Sequence, residues 1–200
     1  MAAIYTVLAL AVALAAAALP VQARNKILGN IEFVVPSKDM KNSGVWVDGQ
    51  YVGYIAELKG DKKLLLVPGE HEISVRQAGY TNFTQRVTIE PGKRTKLFVV
   101  MKKDPSVKYA KVTSQVKLEV EPDRAAVFLD GVFAGTVHEF SGWGRAMLVN
   151  PGEHTIKIAL PGYQAFVTKM TLAPDQKYTI ETKLIAGSVS DEGSALKKKH

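Results

Sequence analysis

The 200-residue chain contains no cysteine. That absence excludes disulfides, zinc–thiolate centres, thiol catalysis and lipidation on an N-terminal cysteine. Whatever folds here is held by its apolar core alone. The common catalytic signatures are missing too. There is no Gly-x-Ser-x-Gly elbow and no phosphate loop, and Gly142-Trp143-Gly144 is not a nucleotide fingerprint. Charge is absent from residues 1–23, so all 26 basic and 19 acidic residues, and the net charge of +7, belong to residues 24–200.

The uncharged start reads as an export signal. Ile4–Leu19 is apolar, Pro20 comes next, and Val21-Gln22-Ala23 is a small-x-small pattern suited to cleavage after Ala23. The run is short of the roughly 20 apolar residues that a membrane span needs. No Lys or Arg precedes it, which leaves an uncleaved anchor as the alternative, and membrane contact is expected only in that case. Either way the expectation is export, to the periplasm, the extracellular space or the cell surface.

The rest of the chain repeats itself. Pro68-Gly69-Glu70-His71 recurs as Pro151-Gly152-Glu153-His154, and Gly79-Tyr80 as Gly162-Tyr163, both 83 positions apart. Pro91-Gly92 corresponds to Pro174-Asp175 at the same offset, and Val47-Asp48-Gly49 to Leu129-Asp130-Gly131 at an offset of 82. Four motifs in one order define two copies of a single unit.

Between these motifs apolar residues alternate: Ile73 and Val75 match Ile156 and Ile158, Val87 and Ile89 match Met170 and Leu172, and Leu97 and Met101 match Ile180 and Leu184. A period of two means half-buried strands. Asp-Gly between such runs favours a hairpin, and Pro-Gly fits a type II turn. The predicted fold class is all-β: two small tandem β-sandwich-like modules. The expected division is a signal segment at 1–23, modules at 24–104 and 116–185, a linker at 105–115 and a disordered tail at 186–200. Each module is expected to enclose its own core. Trp46 and Phe128 occupy matching places, but their apolar neighbours leave their facing open.

The order x-Val-x-x-Asp-Gly, Gly, Pro-Gly-x-His, Gly-Tyr, Pro-Gly resembles the PEGA-domain family of bacterial and archaeal envelope proteins. The resemblance covers about residues 31–103 and 116–185. It departs at Pro122-Asp123-Arg124-Ala125, where arginine stands for glycine, and in the first copy, where Pro36 to Asp48 spans 12 positions against 8 from Pro122 to Asp130. The resemblance implies a small extracytoplasmic β-fold serving as an interaction module, generally without enzymatic activity.

Candidate sites are few. No catalytic constellation converges, and no cofactor or metal is implied. His71 and His154 lack the further ligands that a metal needs and are expected to hydrogen-bond their own turns. His138 and Glu139 sit in a loop with no partner evident. The segment His138–Arg145, with Phe140, Trp143 and Arg145, is the best local binding candidate, since Trp and Arg are enriched in binding hot spots. The alternative is that Trp143 folds back onto the module.

Charge is uneven: residues 24–112 hold 16 basic and 9 acidic residues, whereas residues 113–185 hold 7 and 8. A basic first module favours anionic partners, with Lys62, Lys63, Lys93 and Arg94 as candidate contacts; the bland alternative is a solvated face. Nucleic acid is not expected outside the cytoplasm. The segment Leu97–Met101 is apolar on both faces, so Phe98 and Val100 are expected to be covered by the other module, the linker or a partner. The leading expectation is a non-enzymatic envelope module that binds a protein or an anionic surface polymer. The alternative is a soluble carbohydrate- or small-ligand-binding protein using the Trp143 loop.

Overall fold

The computed structural model describes residues 27–108 and 110–187. The cleavage site after Ala23 and residues 188–200 of the expected tail lie outside them. Each module is a two-sheet β-sandwich. In the first, β1 (Gly29–Val34) lies between β4 (Leu64–Leu66), antiparallel to it, and β7 (Arg94–Phe98), parallel to it. Facing this sheet is an antiparallel one ordered β3 (Gln50–Tyr54), β2 (Gly44–Val47), β5 (Gly69–Arg76), β6 (Phe83–Ile89).

The second module repeats both. Its β8 (Ser114–Glu121) is flanked by β11 (Met147–Val149) and, in parallel, β14 (Lys177–Lys183). The four-stranded sheet runs β10 (Val132–Thr136), β9 (Ala126–Leu129), β12 (Gly152–Ala159), β13 (Phe166–Leu172). Among the described residues, no helix is long and apolar enough to cross a membrane.

Alternation places the core. Val45, Val47, Ile73 and Val75 turn inward from the four-stranded sheet and meet Ile31 and Leu97 of the other. Each such side chain contributes about 1.5–3 kcal/mol on full burial. Outward-facing Ser74 and Thr84 share a hydroxyl hydrogen bond of 2.9 Å across the strands. The hairpins at Asp48-Gly49 and Asp130-Gly131 hold both residues at positive φ (51° and 84°, 50° and 80°), the backbone that a two-residue turn of this hand requires.

The Pro-Gly pairs divide. Pro91-Gly92 makes a turn, with Gly92 at φ 67° and the Lys93 N–H donating to the Glu90 carbonyl, and Asp175 takes the same region at φ 57° in the second copy. Pro68-Gly69 does not form the expected type II turn. Gly69 opens β5 at φ 139°, as Gly152 opens β12 at 135°, so each bends the chain straight into a strand.

Two boundaries move. Strand β8 starts at Ser114, inside the expected linker, because pairing with β11 and β14 captures it. At the other end Ala186 bridges to Tyr163 and the Gly187 N–H donates to the Gly162 carbonyl, so both residues belong to the module and not to the tail.

The expectation of two self-contained cores also needs correction. Trp46, 5% exposed, joins the second module's cluster. With Val45 and Val47 turned inward, Trp46 must leave by the opposite face of β2, and there it meets Phe133.

Candidate binding groove and presented loop

The two modules meet through matching positions. Trp46 and Tyr51 in the first correspond to Phe128 and Phe133 in the second, at the repeat offset of 82. Trp46 stands 5.2 Å from Tyr51 and 5.0 Å from Phe133, and Phe133 stands 5.9 Å from Phe128. The Arg76 guanidinium covers the Trp46 ring at 4.6 Å. Gly44 makes room, since a Cβ there would come within 2.8 Å of Phe133.

Arg124, the departure from the family's glycine, fastens this joint. Its guanidinium donates to the Val52 carbonyl at 3.0 Å and stands 3.3 Å from the Glu57 carboxylate, while its own carbonyl accepts from the Tyr51 hydroxyl at 3.0 Å. In the sequence this position stands out only as arginine in place of the motif's glycine.

His138 and Glu139 do have partners. They lie in a single helical turn, α1 (Val137–Phe140), not in a loop. The His138 ring stacks on Tyr54 at 6.0 Å and pairs with Asp123 at 3.1 Å. The Glu139 carboxylate accepts from the Thr136 N–H at 2.9 Å, and burial raises its pKa above the usual carboxylate range. Phe140 is half-buried against the second core, and Arg145 donates to the His138 carbonyl at 3.2 Å. Trp143 does not fold back: it is 99% exposed. Gly142 and Gly144, at φ 86° and 72°, carry it outward on a backbone that a β-branched residue would strain. Both ends of the segment are thus tied to the body, and the indole between them is presented.

His71 and His154 each bond their own turn through Nε2, and through Nδ1 they also reach the Asp-Gly hairpin of the same module. Nδ1 of His71 meets Asp48 at 2.6 Å and Nε2 meets the Val67 carbonyl at 2.9 Å; His154 repeats this with Asp130 and the Asn150 carbonyl. Among the described residues, no three His, Asp or Glu side chains cluster as a metal site would need.

The basic candidates separate. Lys63 and Arg94 line one groove of about 450 Å³, together with Lys41 and Lys59, which sequence reasoning had not selected. The groove floor is apolar, with Phe33, Ile55 and Leu58. Lys41 reaches it because the extra residues after Pro36 form a 3-10 turn, Asp39–Asn42, anchored by buried Met40. Glu32 is the one carboxylate in the lining, 3.5 Å from Arg94. Lys62 pairs instead with Glu57, and Lys93 with Glu90.

Neither the other module nor the described linker residues cover Phe98 and Val100. They are 64% and 66% exposed, Phe98 at the end of β7 and Val100 just beyond it, on a face that no described segment packs against.

The profile of the PEGA domain matches residues 34–105 and 113–187. No curated protein matches the chain. Among solved structures the chain is similar to the TIE protein of Bacillus anthracis, at 13% identity and a TM-score of 0.29, over 78% of this chain and 34% of that one. The chain therefore spans about a third of that protein's length. Two matched copies that together take in most of the sequence make this chain a member of the PEGA-domain family, with the domain in tandem.

Proposed function

We propose that this protein is an exported, non-enzymatic interaction module of the cell envelope that engages a protein or an anionic surface polymer through the first module. The observation that carries this reading is the convergence of Lys41, Lys59, Lys63 and Arg94 on one groove that holds a single carboxylate. Cations gathered on a concave wall focus their field and raise the local concentration of an anionic partner. The test is retention of the full chain on immobilised envelope fractions at rising salt. Replacing the four cations with glutamine should lower retention and flatten its salt dependence, since exposed charges act over a Debye length of about 8 Å at physiological salt. Equal retention of the native chain and the variant would sink the reading.

A second reading is supported by Trp143. A bare indole beside an arginine suits stacking on a sugar ring, which would make the protein a carbohydrate- or small-ligand-binding one. A change in Trp143 fluorescence on adding envelope glycans, absent in Trp143→Ala, would favour it over the first.

A further inference from the structure

The basic groove coincides with a break in a sheet. Strand β4 pairs with β1 only from Gly29 to Ile31. Its chain then turns away into the 3-10 turn Gly60–Lys62, so the place opposite Phe33 is vacant. The Asn30 N–H donates to Lys93 and the Val34 carbonyl accepts from Val99. Alternate residues of β1 thus direct their backbone groups toward β7. Phe33, between Glu32 and Val34, directs its N–H and C=O the other way, into the groove, where no described residue bonds them.

The second module closes the equivalent place. Leu118 lies opposite Ile180 as Phe33 lies opposite Leu97. There α1 packs against β8, and Leu118 and Val120 are buried. In the first module Phe33 and Val35 are only half-buried and face the groove. One copy has a covered strand edge; the other has an open edge with an apolar floor and a cationic rim.

We propose that this slot takes an extended acidic peptide, which adds to β1 as an antiparallel strand beyond the end of β4. The inference rests on the proposed anionic partner and narrows it to a polypeptide. Main-chain bonds to Phe33 supply what a polymer of phosphates cannot return, because an N–H donor is needed to satisfy the Phe33 carbonyl. Alternation in the added strand sends apolar side chains onto Phe33, Ile55 and Leu58, and acidic ones toward Lys41, Lys59, Lys63 and Arg94.

The experiment uses the full chain and a fluorescent hexapeptide alternating Asp or Glu with Val. Its companions are the same peptide N-methylated at alternate amides and inorganic polyphosphate. Amide hydrogen exchange at Phe33 is followed in each case. The expected result is saturable binding of the unmethylated peptide with slowed exchange at Phe33, and affinity lower by about tenfold or more for the form methylated on the bonding edge. The Lys41→Gln, Lys59→Gln, Lys63→Gln and Arg94→Gln variant should weaken both peptides. Equal binding of methylated and unmethylated peptides, or binding of polyphosphate alone, would overturn strand addition while leaving the anionic reading intact. Failure of every probe, with polyphosphate and peptides alike insensitive to the cations, would overturn both.

Discussion

Trp46 and Phe133 pack edge-to-face across the module boundary, with ring centroids 5.0 Å apart and planes at 89°. Both rings are almost fully buried, at 6% and 5% exposure. Trp46→Ala should therefore cost about 3–5 kcal/mol, as for other buried aromatics. In a double-mutant cycle with Phe133→Ala the pair should show a coupling of about 0.5–1.5 kcal/mol. Urea unfolding followed by far-UV dichroism measures both. Independent additive losses would mean that the modules do not share this core.

Glu139 sits at the same boundary, and its raised pKa means that the folded state disfavours the ionised carboxyl. Stability from this group is therefore lost as pH rises from the ordinary carboxylate value of about 4.3. Glu139→Gln keeps an acceptor for the Thr136 N–H and removes the charge. Its melting temperature should match or exceed that of the native protein at pH 7, with the difference disappearing below about pH 4. A large drop at pH 7 would refute the sign.

The hydrogen bond to Asp48 raises the His71 pKa, while His71 and the Glu72 N–H lower that of Asp48. The pair stabilises the fold when His71 is protonated and Asp48 ionised. That contribution fades as pH rises through the raised His71 value, above about 6.5, and again as pH falls through the lowered Asp48 value, below about 3.9. Asp48→Asn retains a residue tolerant of φ 51° and removes the charge. An NMR titration of His71 in that variant should return to about 6.5 or lower.

Trp143 and Phe98 are surface residues. Trp143→Ala and Phe98→Ser should each change stability by less than about 0.5 kcal/mol. With Trp46→Phe, the remaining indole should emit as one in water and be quenched fully by acrylamide. Protection of Trp143 from the quencher would place the loop against the body.

The groove is only half legible in the sequence. Lys63 and Arg94 are identifiable as basic residues of a basic module, but Lys41 and Lys59 join them only through the 3-10 turn after Pro36 and the loop before β4. Lys62 and Lys93 fall away because their side chains do not line the groove, and each pairs with a carboxylate outside it. Arg124 carries a signal, its place in a motif where glycine is usual, yet nothing local says that its guanidinium crosses to Val52 and Glu57.

What the order of residues determined by itself is local or periodic: two copies, strands with period two, Asp-Gly hairpins at positive φ, and the Nε2 contacts of His71 and His154 to their own turns. These arise from short-range sterics and from which face of a strand is apolar. Tertiary structure decided the rest. It paired β1 with β7 in parallel, left β7 at an edge with Phe98 and Val100 bare, and aimed Trp46 at another module. It also closed the β8 edge with a helical turn while leaving the β1 edge open. The reason is that an apolar residue needs only some covering surface, and its sequence neighbours do not specify which. That choice rests on contacts between segments tens of residues apart, and the few residues by which the two copies differ in loop length redirect them.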